Sequence, residues 1–131
     1  MKITADTNIL VRVLTGDDPE QSRRAQAELG EAELVALPVP ALCELVWVLS
    51  QGYGIAAADI AEAIRRLINA SNVVVNRPAV DVGLAHLEAG GDFADAAIAY
   101  EGRWLGAEIF LSFDTKAVKL LTTRGRAVNL G

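Results

Sequence analysis

The sequence predicts an α/β fold with a mostly parallel central sheet flanked by helices on both faces. Three observations carry that prediction. Short apolar runs, such as Leu34-Val35-Ala36-Leu37 and Val73-Val74-Val75, alternate with longer stretches of helical periodicity. That alternation implies a parallel sheet covered on both faces. Acidic residues stand just past the ends of the apolar runs, where open parallel sheets place their ligands. The chain of 131 residues, 52% hydrophobic and only 5% aromatic, can bury one core of Ala, Val, Leu and Ile, so residues 1–131 are expected to form one domain.

Each element follows in order. Residues 2–6 read as a strand, followed by a short helix carrying Ile9, Leu10, Val13 and Leu14. Asp18-Pro19-Glu20-Gln21 combines an N-cap acid with Pro at the first helical position, and the helix it starts should run to Gly30. Leu34 to Leu37 is a short strand closed by Pro38 and Pro40. A helix over about 40–50 should stop before Gly52-Tyr53-Gly54. The next, about 57–70, carries Ile60, Ala63, Ile64, Leu67 and Ile68 on one face, although residues 56–59 lack a polar cap. Val73 to Val75 is a third strand, and a helix follows Pro78 to end near Gly90-Gly91. Asp92 opens a helix to about Leu105, Glu108 to Leu111 form a strand, and a short helix carries Val118, Leu120 and Leu121. Ala127 to Leu130 would make an edge strand.

Composition excludes several classes. No stretch approaches the roughly eighteen apolar residues of a spanning helix. Thr4, Asp6, Thr7 and Asn8 stand where a signal peptide needs an apolar run, and the single cysteine, Cys43, fits a reducing compartment, so a cytoplasmic location is expected. The net charge of −5 argues against a broad basic surface for nucleic acid. Setting aside four acids in apolar settings, however, leaves 13 against 12 Lys and Arg, so the negative excess can belong to one pocket.

Those four acids are Asp6 after the first strand, Glu44 within Ala41-Leu42-Cys43-Glu44-Leu45-Val46-Trp47, Asp95 within Phe93-Ala94-Asp95-Ala96-Ala97-Ile98, and Asp114 after Phe110-Leu111-Ser112-Phe113. A carboxylate beside the core loses hydration and needs a partner, a proton or a cation. Plainer roles compete. Asp6 could be an N-cap, but Asn8 could fill that role and leave Asp6 for other work. Glu44 has a mostly apolar helix face, which argues against a solvent-facing position. Asp92 reads as a cap first, and Asp95 at the third helical position could simply favour the helix dipole. Asp114 could cap the helix after it. Asp59, Asp81 and Glu88 fall on wet helix faces.

Four such carboxylates suit hard divalent cations, Mg²⁺ or Mn²⁺, one or two ions, with room for water and a phosphate. The ion would activate a water and stabilise charge growing on the phosphate. Cys43, alone in an apolar helix, is not a credible nucleophile. His86, the only histidine, is expected at the surface or an interface rather than as a general base. No P-loop, dinucleotide fingerprint or zinc spacing is present.

Asp6-Thr7-Asn8, Glu44, Asp92-Phe93-Ala94-Asp95-Ala96-Ala97-Ile98 and Ser112-Phe113-Asp114 together resemble the PIN-domain nucleases, above all the VapC-type toxins of toxin–antitoxin pairs. The resemblance covers essentially the full length. Each motif is weak alone, and their order and spacing make the likeness specific. By resemblance, Asp6, Glu44, Asp95 and Asp114 are the catalytic, metal-binding set, supported by Asn8, Asp92 and Ser112. The implied protein is a Mg²⁺- or Mn²⁺-dependent endoribonuclease, the toxin of a type II pair, usually a homodimer and neutralised by a small antitoxin. An activated water would cut an RNA phosphodiester in line and leave a 5′-phosphate. Arg12, Lys116 and Lys119 lie close enough in sequence to the acids to contact RNA phosphates, with Arg124 and Arg126 ranked lower. Solvated helix charges explain them equally well. Trp47, Tyr100 and Trp104 could be core, dimer surface or antitoxin groove.

Two other classes compete. A Mg²⁺-dependent phosphotransfer domain also places an Asp after its first strand. A phosphatase of that kind needs a second Asp two positions on, where Asn8 stands, and a receiver needs an acid after the third strand, where Asn76-Arg77-Pro78 follows. A non-catalytic binding module that keeps the PIN fold is the nearer rival.

Overall fold

In the computed structural model, which describes residues 1–122 and 125–131, the backbone forms two compact units, Met1–Asn76 and Arg77–Gly131. The first begins with strand β1 (Lys2–Thr4) and helices α1 (Thr7–Thr15) and α2 (Pro19–Glu31). Strand β2 (Leu34–Ala36) leads to α3 (Val39–Trp47), a π-helical turn (Val48–Gly52), α4 (Ala57–Ile68) and β3 (Val73–Val74). The sheet has the order β1-β2-β3 and is parallel throughout, with Ile3 opposite Val35 and Val35 opposite Val73. Each crossover between these strands is helical, as parallel pairing requires.

Local chemistry sets the helix limits. Asp18 caps α2 by accepting the Gln21 N–H at 3.1 Å, and Pro19 takes the first position. The far end of α2 has no basic residue in its last turn. Its orphan carbonyls are met instead by Asn72, whose side-chain amide donates to Leu29 O at 2.8 Å and Ala32 O at 3.0 Å. Helix α1 ends at Gly16, whose φ of +64° costs a glycine nothing. Helix α4 starts at Ala56 without a side-chain cap, as its sequence suggests.

The helix expected to stop before Gly52 does not stop there. The Tyr53 N–H reaches back five residues to Val48 O at 3.2 Å, and the chain turns only at Gly54, φ +66°. This π turn, a feature frequent at functional sites, fixes where Tyr53 sits. Leu10, Leu42, Leu45 and Ile64 are fully buried in the unit's core. Each contributes roughly 1.5–3 kcal/mol of hydrophobic stabilisation.

The second unit runs α5 (Arg77–Glu88), α6 (Phe93–Trp104), β4 (Ile109–Ser112), α7 (Thr115–Leu121) and β5 (Arg126–Asn129). Strands β4 and β5 pair in parallel from Ile109–Arg126 to Ser112–Asn129, with α7 as the crossover. The described strands thus pair as a three-stranded and a two-stranded sheet, all parallel, in keeping with the α/β class.

Two glycines let α5 pack as it does. A Cβ on Gly83 would fall 2.5 Å from the ring of Phe93, which is fully buried at the start of α6. A Cβ on Gly91 would fall 2.3 Å from Nε2 of His86. His86 is therefore not the surface or interface residue its sequence suggests: it is fully buried, and Gly91 folds its backbone against the imidazole. Trp47 and Trp104, 66% and 74% exposed, are not core residues, and Trp104 Nε1 donates to the Tyr100 hydroxyl at 3.0 Å.

Candidate functional site

The first unit brings two of the four acids to one threonine. Ala5 is still bonded to the sheet, its N–H donating to Ala36 O, and Asp6 follows at the first turn of α1. Asp6 is the N-cap, and its Oδ1 accepts the Thr7 N–H at 2.8 Å. Asn8, the alternative cap, lies inside the helix and is exposed. The Thr7 side chain, only 8% exposed, donates its hydroxyl towards Glu44 Oε2 at 3.1 Å, with Ala41 O at 3.4 Å as a second acceptor. Thr7 thus ties Asp6 on α1 to Glu44 on α3. Sequence reasoning passed over Thr7, although an Asp-Thr pair at a strand end offers a backbone N–H and a hydroxyl together.

Both acids are exposed, which corrects two expectations. The strand residue Ala5 is 2% exposed, but the turn into α1 carries Asp6 out to water. Glu44 follows Leu42 and precedes Leu45 and Val46, all buried, yet its own stripe of α3 and the following turn holds half-buried Ala41 and Val48 and exposed Trp47. The acids border an open hollow of about 360 Å³, lined also by Asn8, Val11, Arg12, Val48 and Tyr53. A second hollow, about 470 Å³, is lined by Asn8, Ile9, Arg12, Gln21, Arg24, Ala25 and Glu28.

The second unit carries the other acids. Asp92 caps α6, with Oδ1 3.4 Å from the Ala94 N–H. Asp95, in the first turn of α6, is half-buried. Burial pushes its carboxyl above the usual carboxylate range, and the charges of Asp92 and then Asp114 push it further. Asp114 is exposed and caps α7, its Oδ1 accepting the Ala117 N–H at 3.0 Å. Ser112 shapes that turn, its hydroxyl accepting the Asp114 N–H at 2.9 Å.

The cations divide by setting. Arg12 is half-buried, donating from Nε to Gln21 Oε1 at 2.7 Å and from Nη1 to Asp17 Oδ1 at 3.2 Å. Lys116 and Lys119 are exposed on α7, and Arg126 is exposed on β5, whereas Arg124 lies outside the described residues. Among the described residues, no group of three His, Cys, Asp or Glu side chains is disposed to hold a metal ion. The donors themselves are nonetheless hard carboxylate oxygens, the kind Mg²⁺ and Mn²⁺ take. No described helix is long and apolar enough to cross a membrane.

Parallel β–α units with carboxylates held at strand-to-helix turns define an α/β protein. The family model of the PIN domain matches residues 3–120, a span that includes all four acids and runs through both units, and the chain belongs to the PIN-domain family. PIN domains are in general metal-dependent nucleases that act on nucleic acid. No curated protein matches the chain.

Proposed function

We propose that the protein is a Mg²⁺- or Mn²⁺-dependent endoribonuclease and the toxin of a type II toxin–antitoxin pair, working in the cytoplasm as a homodimer restrained by a small antitoxin. The observation that carries this reading is the crowding around Asp95. A half-buried carboxyl raised by two neighbouring carboxylates is a place where a divalent cation is favoured. Asp6, Glu44, Asp95 and Asp114 are the residues that would hold the ion. When bound, it would supply an activated water and stabilise charge on the phosphate.

The chain's own residues do the positioning. Thr7 holds Asp6 and Glu44 together through one N–H and one hydroxyl. Ser112 fixes the turn that carries Asp114, and Asp92 starts the helix that carries Asp95. Asn8 adds a polar side chain to the lining of the hollow beside Asp6 and Glu44. Arg12, Lys116 and Lys119 supply contacts to RNA phosphates, the positioning share of nucleic-acid recognition.

Cleavage of pooled transfer, ribosomal and messenger RNA tests the reading, with Mn²⁺, Mg²⁺ and EDTA lanes. Discrete metal-dependent cuts are expected, and none from a folded Asp6→Asn, Asp95→Asn double variant. Equal cutting by that variant, or cutting in EDTA, would refute the assignment. A non-catalytic PIN-fold binding module is the second reading. Tight metal-free RNA binding without cleavage would select that alternative.

A further inference from the structure

Asn8 and Arg12 line both hollows of the first unit, so Arg12 stands between the acids and the adjoining space beside Gln21 and Arg24. Its guanidinium is not a loose surface charge. Gln21 and Asp17 take Nε and one Nη1 hydrogen. Asp17 is gripped in turn: the Tyr53 hydroxyl donates to Oδ2 at 2.6 Å, and the Thr15 hydroxyl lies 3.0 Å from Oδ1. The Tyr53 bond first, then Thr15, and to a smaller degree the Arg12 charge, hold the Asp17 carboxyl below its usual range and keep it ionised. Tyr53 reaches Asp17 because the π turn carries it there.

A planar guanidinium held through both Nε and Nη1 cannot rotate freely, so Nη2, for which no partner is described, keeps a fixed direction. That is the arrangement suited to bidentate contact with a phosphate. An isolated exposed salt bridge has little energetic reason to recruit a tyrosine, a threonine and a glutamine around it. We propose that Arg12 grips the RNA phosphate next to the one held at Asp6 and Glu44, and that Asp17 and Tyr53 are positioning residues for its guanidinium. The adjoining hollow, with Arg24, receives the neighbouring nucleotide. This inference rests on the nuclease reading for its substrate.

Binding of a fluorescein-labelled single-stranded RNA pool to the full chain in EDTA, followed by anisotropy across a salt series, tests it without requiring catalysis. Arg12→Gln is expected to weaken binding and to reduce the slope of log affinity against log salt by about 0.7, one phosphate contact. Asp17→Asn and Tyr53→Phe are each expected to weaken binding several-fold, with melting curves that report folded protein. The Asp17 result decides between two roles. A carboxylate that merely neutralises Arg12 would, once removed, tighten RNA binding, whereas a positioning carboxylate loosens it. Unchanged or tighter binding by both variants overturns the proposal, as does an Arg12→Gln slope equal to that of the unaltered protein, or no RNA binding by that protein. Metal-dependent cleavage on the same preparations separates the failures. Unaltered protein that binds but never cuts refutes the nuclease reading and leaves the Arg12 result standing.

Discussion

Replacing Gly83 with alanine measures how closely α5 and α6 must approach for Asp95 to sit where it does. The added Cβ would lie 2.5, 2.7 and 2.9 Å from three carbons of the Phe93 ring. Two effects oppose each other. Alanine in a helix interior is favoured over glycine by about 0.5–1 kcal/mol. Forcing a methyl group into a filled core costs about 1–3 kcal/mol. Phe93 is fully buried in a close-packed core, so its ring has little room to yield and the clash should win. The net expectation is destabilisation by about 1–2 kcal/mol, or about 3–8 °C in melting temperature. In urea the midpoint should fall while the slope holds. In a Phe93→Leu background the same substitution should cost less or become favourable, because the smaller side chain leaves room. An unchanged midpoint, or the same cost in both backgrounds, would refute the packing argument. Phe93 is two residues before Asp95, so the defect should also disturb cleavage.

Asp95, raised by burial and then by Asp92 and Asp114, favours folding below its unfolded pKa and opposes it as pH rises through the folded pKa. Asp95→Asn should therefore melt higher than the unaltered protein at neutral pH in EDTA, with the gain fading as pH falls through the carboxylate range; a lower neutral-pH melt would contradict this. Asp17 has the opposite sign, since its lowered carboxyl adds stability above the unfolded pKa that is lost as pH falls through the folded one. Tyr53→Phe removes the largest cause, so the Asp17 resonance should titrate at higher pH by carboxyl NMR. Asp114→Asn keeps an oxygen for the Ala117 N–H and Asp114→Ala does not, so only the alanine variant should lose about 1 kcal/mol by thermal melting, while both should lose RNA cleavage.

Much of this protein was legible because its signals are local. Asp18-Pro19 starts α2, and the stripe from Ile60 to Ile68 gives α4 its buried face, both read from a few neighbouring residues. The misreadings came where residue type stood in for environment. Apolar neighbours made Glu44 look buried, but an apolar residue is not thereby an interior one, and Trp47 beside it is itself exposed. His86 reads as a surface or interface residue because it is polar and the only histidine. Its spacing from Ala79 and Gly83, both buried, placed it on the inner stripe of α5 all along. The π turn had no such clue, since nothing in Ser50-Gln51-Gly52 distinguishes an α-helical end from a wider turn.

Capping and metal chemistry compete as explanations for these acids in the sequence, and the hydrogen bonds leave room for both. Asp6, Asp92 and Asp114 each cap a helix, and in every case the backbone N–H goes to Oδ1. Their Oδ2 atoms make no described hydrogen bond, so one oxygen fixes the carboxylate while the other remains available to a ligand. For Asp6 and Asp114, capping fixes the carboxylate at a strand-to-helix turn, where a parallel sheet leaves space beyond its strand ends. Asp95, which is not a cap, lies in the first turn of α6, and its burial raises the energy of its charge. Three of the residues that start helices, Asp6, Asp92 and Asp114, thus carry carboxylates whose position the helix cap itself fixes.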